Sequence, residues 1–261
     1  MAFSADSFSL AGKVAIVTGA GGRPNSIGRA YALGLAALGA TVLVADLDGD
    51  GAGDVAREIT NTGGRATGLR VDISDPASVA NMAAAAADSY GGVDILVNNA
   101  ALMAELSYEP VISTSLQVWR KVLDVNLTGA LNCAQAVAPM MRARGGGRIV
   151  NQLSGGAFPP TTLYGISKIA LLGLTTTLAR ELGPDRITVN AIAPGAVRSA
   201  AGQSLTPPDS PFRKMLERQV ALRPEGEPDD LVGALVLLCS AAGAWITGQV
   251  IHVDGGWIIR P

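Results

Sequence analysis

Tyr164 and Lys168 stand four residues apart, and Ser154 lies ten residues before Tyr164. If the chain is helical from Thr161 or Thr162 onward, the phenol and the ammonium group lie one above the other on one helix face. A free Tyr has a pKa of about 10 and is a poor base at neutral pH, whereas a neighbouring positive charge lowers the pKa of a phenol. These residue types therefore predict a group that donates and accepts a proton, with the Ser154 hydroxyl bonding the same reacting oxygen.

The Tyr–Lys spacing alone is weak evidence for this chemistry, because many helices carry an exposed pair of this kind by chance. The other residue types of the chain exclude two common kinds of catalytic site. His252 is the single histidine of the chain. Ser-His-Asp hydrolysis needs a His base, and zinc sites need grouped His or Cys ligands, so neither is expected and no metal is predicted. His252 is expected to be structural, within a terminal strand at 250–253.

Length and composition favour one α/β domain in a reducing compartment. The chain has 261 residues, 48% of them hydrophobic and 16% charged, with a net charge of −2 and no long basic run. Nucleic acid and anionic membranes are therefore not expected as partners. The longest apolar stretch, 231–246, is too short to span a bilayer, and the start lacks the pattern of a signal peptide. Cys133 and Cys239 are expected to be buried free thiols, which favours a cytoplasmic protein.

A glycine-rich turn follows the first apolar run. Residues 13–18 (KVAIVT) are typical of a strand buried on both faces, and the turn GAGGRPNSIGRA leads into a helical pattern at 27–38. Glycines let a backbone approach a phosphate, and a helix N-terminus offers unpaired N–H groups and a positive dipole end. The pattern predicts a dinucleotide pyrophosphate site built from Gly19, Arg23, Ser26, Ile27 and Gly28.

Asp46 ends the next predicted strand, 41–45, and Leu47 follows it. A carboxylate there is placed to bond both ribose hydroxyls of adenosine, and it would repel a 2′-phosphate. We therefore expect NAD as the cofactor, with NADP less favoured. The alternative is a loop acid that caps the segment 48–60.

Further strands are predicted at 66–71, which ends at Asp72, and at 93–97, which ends at Asn98. Strands alternate with helices without a repeat or a linker. This pattern predicts a single-domain doubly wound α/β (Rossmann) fold, a seven-stranded parallel sheet flanked by helices. Ligands of such sheets bind at the carboxyl ends of the strands, so Leu47, Asp72 and Asn98 are expected to contact the cofactor. Residues 10–110 are expected to bind mainly the cofactor, and 111–261 to be mainly catalytic.

From residue 10 to residue 257 the chain resembles the short-chain dehydrogenase/reductase family. The shared stretches follow the family's order: the glycine turn, Asp46, VDIS at 71–74, NNAA at 98–101, VNLTG at 125–129, Ser154, YGISK at 164–168, VNAIAPG at 189–195 and the final VDGGW. The resemblance implies an oxidoreductase that uses NAD(P), with Asn126, Ser154, Tyr164 and Lys168 as catalytic residues. It also implies cofactor contacts at Ile73, Ala100, Pro194, Gly195, Val197 and Ser199.

Within that resemblance, Asn126 is expected to sit at a helix kink whose carbonyl holds a water, and Lys168 to bond the nicotinamide ribose. The alternative for Asn126 is a side chain bonded to a neighbouring backbone.

Several features depart from the family's pattern. The glycine turn is longer than usual, Ser26 replaces its middle glycine, and Arg23 in the insert leaves NADP open. Ser199 stands in place of a Thr. The segment from Ser154 to Tyr164 is short and contains Phe158-Pro159-Pro160, which predicts a stiff loop. The divergent enoyl reductases of the family also have altered glycine turns, but their Tyr-to-Lys spacing is longer than here.

The expected substrate is a small molecule, a neutral and fairly hydrophobic secondary alcohol or its ketone. Residues 199–223 are predicted to form a mobile lid with a helix at 211–220. No Arg or Lys clearly faces the inferred pocket, and its expected neighbours are apolar: Leu102, Met103, Leu153, Phe158, Leu163 and Ala196. By analogy with the family we expect a homotetramer.

Two other functions stay open. One is an NADPH-dependent 3-oxoacyl thioester reductase, which Asp46 disfavours. The other is a non-catalytic dinucleotide-binding sensor or scaffold, which would have no need of all four predicted catalytic residues.

Overall fold

The computed structural model describes residues 4–103, 106, 110–203, 209–223 and 225–259. Seven parallel strands form one sheet in the order β3-β2-β1-β4-β5-β6-β7, so the predicted doubly wound fold is confirmed. The strands are β1 Val14–Thr18, β2 Thr41–Asp46, β3 Arg65–Arg70, β4 Ile95–Asn98, β5 Gly147–Gln152, β6 Ile187–Pro194 and β7 Val250–Val253. The chain order reverses between β1 and β4, the position where doubly wound sheets bind ligands.

Helices cover both faces of the sheet. They are α1 Ile27–Ala37, α2 Gly49–Asn61, α3 Pro76–Tyr90, α4 Leu116–Leu123, α5 Gly129–Ala143, α6 Leu163–Leu182, α7 Ala200–Gln203, α8 Pro211–Gln219 and α9 Val232–Cys239. One core joins α1, α2 and α9 to the sheet, and a second, on the other face, joins α3, α5 and α6. A smaller third cluster joins α5 and α6 to β6. Adjacent residues of a strand serve opposite cores, as Ile16 and Val17 do, which explains why the central strands are continuous apolar runs.

Hydroxyl and carboxylate side chains fix where the helices start. Ser26 caps α1, Asp48 caps α2 and Thr162 caps α6, each by accepting a hydrogen bond from a backbone N–H of the first turn. The Thr162 cap starts α6 at Leu163, so Tyr164 and Lys168 both lie in its first two turns. The helix needed for the predicted Tyr–Lys geometry is therefore present.

The expected distortion at Asn126 is a π-helical turn. Residues Asp124–Thr128 form this turn between α4 and α5, and the N–H of Gly129 donates to the carbonyl of Asp124. The predicted strand bounds were less accurate, because β4 begins at Ile95 rather than Val93. The N–H of Asp94 already donates to Val14 of β1, although Asp94 lies outside the strand itself.

Both cysteines are buried free thiols, and burial raises the pKa of each to about 12. Across the described ranges, every helix is too short or too polar to cross a membrane. The predicted lid contains α7 and α8, while 204–208 and 224 lie outside the described residues.

Candidate active site

One cleft of about 2400 Å³ runs along the carboxyl ends of the strands. Single-ligand pockets occupy roughly 300–1,000 Å³, so this cleft has room for a dinucleotide and a substrate together. It is lined by all but two of the predicted site residues: Gly19, Arg23, Ser26, Ile27, Gly28, Asp46, Leu47, Asp72, Ile73, Ala100, Ser154, Tyr164, Lys168, Pro194, Gly195, Val197 and Ser199. Asn98 and Asn126 are the two that do not line it.

The glycine turn is locked to the end of β4. The hydroxyl of Thr18 accepts from the N–H of Asn99 at 3.1 Å, and the Asn99 amide donates to the carbonyl of Gly19 at 2.9 Å. A Cβ built on Gly28 would lie 2.2 Å from that same carbonyl, so the start of α1 can approach the turn only with glycine there. The result is an open cradle at a helix N-terminus, which fits a pyrophosphate.

Ser26 occupies the middle-glycine position for a structural reason. Its hydroxyl accepts from the N–H of Arg29 at 3.1 Å and so caps α1. The preceding residue, Asn25, has a left-handed φ of 52°, and its amide donates to the carbonyl of Arg198 at 2.6 Å. The lengthened turn therefore reaches the base of the predicted lid, a contact that the sequence did not indicate.

Asp46 lies at the rim of the cleft and is bonded to two loops. One carboxylate oxygen accepts from the N–H of Gly21 at 2.8 Å, and the other accepts from the N–H of Asp48 at 3.0 Å. Asp48, rather than Asp46, caps α2 by accepting from Gly51 at 3.1 Å. Each carboxylate oxygen of Asp46 retains capacity for a further donor, which leaves it able to accept from ribose hydroxyls.

Two of the other residues at strand ends, Asp72 and Asn98, form hydrogen bonds within the protein. One oxygen of Asp72 accepts from both the N–H and the hydroxyl of Ser74, at 2.9 and 2.6 Å. Asn98 is buried, and its amide donates to Asn151 at 2.9 Å and to the carbonyl of Ala130. The Asn98 side chain therefore points into the protein rather than into the cleft, where a cofactor contact was predicted.

Asn126 holds the loop after β4 against α6. Its oxygen accepts from the N–H of Leu102 at 2.8 Å, and its amide donates to the Leu102 carbonyl at 3.0 Å and to the hydroxyl of Ser167 at 3.0 Å. Ser167 in turn donates to the carbonyl of Tyr164 at 2.7 Å. The side chain thus makes the backbone bonds of the alternative interpretation, and it also ties the π turn to the helix that carries Tyr164.

Lys168 is buried beneath Tyr164. Its Nζ lies 5.4 Å from the centroid of the Tyr164 ring and donates to the carbonyl of Gln152 at 2.7 Å. Burial lowers the pKa of Lys168 to about 7, because the charged form loses its hydration. Ser154 follows β5, and its hydroxyl accepts from the N–H of Gly156 at 3.1 Å. The phenol, ammonium and hydroxyl groups therefore border one cleft.

The same end of β5 is fixed from the opposite face of the sheet. The Gln152 side chain accepts a hydrogen bond at 2.8 Å from the hydroxyl of Tyr31, a fully buried residue of α1. Burial raises the pKa of Tyr31 far above its usual range, so this hydroxyl stays protonated. The Tyr31 hydroxyl thereby anchors the end of β5, where the Gln152 carbonyl accepts the hydrogen bond from Lys168.

The cleft is lined both by the apolar residues that were expected from the sequence and by residues that the sequence did not single out. Leu102, Met103, Leu153, Phe158, Leu163 and Ala196 line the cleft, and so do Phe212, Met215, Gln219, Trp257, Ile258 and Ile259. Arg120 and Lys121 of α4 also line it, although no Arg or Lys was expected to face the pocket. Within the described part of the chain, no group of three His, Cys, Asp or Glu side chains could hold a metal ion.

Known proteins resemble this chain over nearly its whole length. The sequence profile described as "Enoyl-(Acyl carrier protein) reductase" matches residues 21–258. An uncharacterized oxidoreductase of Mycobacterium tuberculosis is 44% identical over 248 residues, 95% of this chain and 98% of the relative. The 7alpha-hydroxysteroid dehydrogenase of Escherichia coli K12 is 36% identical over 259 residues, 98% of each protein.

Solved structures show the same likeness. A structure of 7 alpha-hydroxysteroid dehydrogenase with NADH and 7-oxo glycochenodeoxycholic acid has a TM-score of 0.91, at 34% identity and 99% coverage of both chains. A gluconate 5-dehydrogenase described as putative and NAD(P)-dependent, from Beutenbergia cavernae with NADP at low occupancy, has a TM-score of 0.87 at 41% identity. It is covered over 98% of its length, against 96% of this chain.

Proposed function

Because the chain belongs to the short-chain dehydrogenase/reductase family, we propose that it is an NAD-dependent oxidoreductase interconverting a neutral, fairly hydrophobic secondary alcohol and its ketone. Membership and the named dehydrogenase relatives make it an oxidoreductase acting on alcohol groups. The observation that carries the finer proposal is the position of Tyr164 at the cleft, directly above the buried Lys168.

In the proposed mechanism Tyr164 moves the proton. In oxidation its phenolate takes the proton of the substrate hydroxyl, and in reduction its phenol returns a proton to the carbonyl oxygen. Ser154 donates a hydrogen bond to the same oxygen and so holds it beside Tyr164. When bound, the dinucleotide supplies the hydride acceptor or donor. Asn126 acts through position, since it fixes the backbone around Tyr164 and Leu102.

NAD is favoured because a carboxylate at Asp46 would repel the 2′-phosphate of NADP. Arg23 lines the cleft on the glycine turn, and one structural relative carries NADP, so basic contacts near the turn are the competing influence. Gly19, Ser26, Ile27, Gly28 and the loops around Ile73, Ala100 and Gly195 would hold the rest of the dinucleotide. By analogy with the family we also propose a homotetramer.

The low pKa of Lys168 predicts that cofactor binding takes up protons. In its proposed role Lys168 bonds the nicotinamide ribose as an ammonium group. Hydrogen bonds from Nζ to the cofactor hydroxyls favour this charged form, so cofactor binding raises the pKa of Lys168 above about 7. At about pH 8 the free protein is then mostly deprotonated at Lys168, the complex is more protonated, and NADH affinity falls as pH rises. Calorimetry in buffers of different ionisation enthalpy measures the uptake.

Lys168→Met is the matched variant for this measurement, because it keeps the buried apolar stem and removes the titrating group. It should bind NADH without the proton uptake. Proton release by the wild type, or the same uptake in the variant, would contradict this role of Lys168.

The proposed substrate class is tested by alcohol-dependent reduction of NAD⁺ with the purified protein. We expect turnover with neutral apolar secondary alcohols, and a lower kcat/KM when NADP⁺ replaces NAD⁺. Preferential reduction of a 3-oxoacyl thioester by NADPH would instead establish the thioester reductase. Cofactor binding without turnover of either substrate class would favour the non-catalytic sensor or scaffold.

A further inference from the structure

A short segment after β7 contributes residues to the lining of the cleft. We call residues 254–259 the C-terminal strap. Asp254 organises it, because one carboxylate oxygen accepts from the N–H of Gly256 and the other from the N–H of Ile258, each at 2.9 Å. The Asp254 side chain is only 4% exposed. Gly255 and Gly256 have φ values of 66° and 81°, which favour glycine. The strap is therefore a turn of defined shape rather than a loose tail.

The strap holds Trp257 against the loop that carries Ser154. A Cβ built on Gly155 would lie 2.7 Å from Cζ3 of the Trp257 ring, so the indole packs directly on the backbone next to Ser154. A side chain at Gly155 would displace the ring. The indole is thus placed beside the residue proposed to bond the reacting oxygen.

Trp257 also contacts the predicted lid. Its Nε1 donates to Oε1 of Gln219 at 3.3 Å, and its ring meets that of Phe212 edge to face, with centroids 5.9 Å apart. The N–H of Leu222, which follows α8, donates to the carbonyl of Gly255 at 2.9 Å. The Trp257 side chain therefore joins the Ser154 loop to α8, and its indole N–H has a hydrogen-bond acceptor on that helix.

The surface that results is mostly apolar and includes two planar aromatic rings, those of Phe212 and Trp257. Phe212, Met215, Gln219, Trp257 and Ile258 all line the cleft, and none of them carries a charge. A flexible chain would lose rotamer freedom on such a wall, whereas a fused ring system has little to lose and presents a matching flat face. Dispersion and burial of apolar surface then favour the ring.

We propose that Trp257 determines substrate specificity, by selecting secondary alcohols and ketones whose reacting carbon belongs to a rigid alicyclic ring system. This inference rests on the proposed function and narrows its substrate class. Trp257 acts as a wall for the ring, and Tyr164 and Ser154 act on the oxygen that the ring carries.

The test compares decahydro-2-naphthol with 2-decanol, a cyclic and an open-chain secondary alcohol with the same number of carbons. We expect the wild type to prefer the cyclic alcohol in kcat/KM by about 10-fold or more. Trp257→Ala should lower kcat/KM for the cyclic alcohol by about 10-fold or more and change that for 2-decanol by less than about 3-fold. Trp257→Phe should restore most of the preference.

Trp245→Ala is the matched control, since Trp245 is 99% exposed and does not line the cleft. It should leave the ratio of the two kcat/KM values unchanged, and all variants should bind NADH as the wild type does. An equal loss on both alcohols in Trp257→Ala, or an equal rate on both in the wild type, would overturn the inference.

A binding measurement separates this inference from the proposed function. Calorimetric titration of 2-decalone into the NADH-loaded protein should show binding that Trp257→Ala weakens by about 10-fold or more. If no alcohol is turned over but this difference is present, the proposed function fails and the ring site stands. If the wild type does not bind 2-decalone, or the variant binds it equally well, the inference is wrong.

Discussion

Replacing Tyr164 by Phe is expected to lower kcat by about 10²–10⁴-fold, the usual contribution of a positioned general acid or base. The substitution removes one oxygen atom and keeps the ring that lies 5.4 Å from Nζ of Lys168. Packing in the first turn of α6 should therefore be retained, and the NADH dissociation constant should stay within about twofold, since only the proton acceptor is lost. Steady-state turnover of an accepted alcohol, together with a fluorescence titration of NADH, measures both quantities.

Tyr90→Phe is the control for this variant. Tyr90 ends α3, its hydroxyl pairs with Thr67 at 2.5 Å, and it does not line the cleft. Its loss should leave kcat unchanged. If Tyr164→Phe kept wild-type turnover, Tyr164 would not be the acid–base residue, and the proposed mechanism would fail with it.

Asp46→Asn is expected to reduce the NADH-over-NADPH binding preference by about 10- to 100-fold. Hydrogen bonds to a charged group contribute about 1.5–3 kcal/mol, and a like charge beside the 2′-phosphate costs several kcal/mol. Asn keeps one carbonyl oxygen, which can accept from the N–H of Gly21 or from that of Asp48 but not from both, because these N–H groups bond different carboxylate oxygens of Asp46. One of the two loop contacts is therefore lost along with the charge. NADH should bind more weakly and NADPH more tightly, as titrations of both cofactors would show.

Asp48→Asn is the matched control, because it removes a neighbouring charge while Asn remains a good helix cap. Asp48 caps α2 and lies two residues from Asp46. This control should leave the cofactor preference near that of the wild type. If Asp46→Asn left the preference for NADH over NADPH unchanged, Asp46 would have only a structural role, through its hydrogen bonds with Gly21 and Asp48.

The sequence predicted the sheet, its buried strands and the cleft at their carboxyl ends, because each depends on local pattern. Apolar runs predicted β1 and β2, and the start expected for α6, at Thr161 or Thr162, lies within two residues of the observed start at Leu163. These features follow from the period of the pattern, which neighbouring residues alone determine. The kink at Asn126, by contrast, was expected only from the family resemblance.

The direction of side chains and long-range contacts could not be predicted in this way. Asn98 ends a strand as expected, yet its amide turns inward to Asn151, because that partner comes from β5, far along the chain. Ser26 was predicted to contact the pyrophosphate, which stays a prediction, and the sequence analysis did not anticipate that its hydroxyl also caps α1. Trp257 was noted only as part of a terminal motif, since its contacts with Gly155 and Phe212 join segments distant in sequence.

The use of NAD through Asp46 and the glycine turn is tested most directly by titrating the wild-type protein with NADH and with NADPH. This measurement needs no substrate and reports on Asp46, Arg23 and the turn together. We expect saturable binding of NADH that is at least about 10-fold tighter than that of NADPH. Tighter binding of NADPH would contradict it and place the thioester reductase first, and binding of neither cofactor would contradict the dinucleotide site itself.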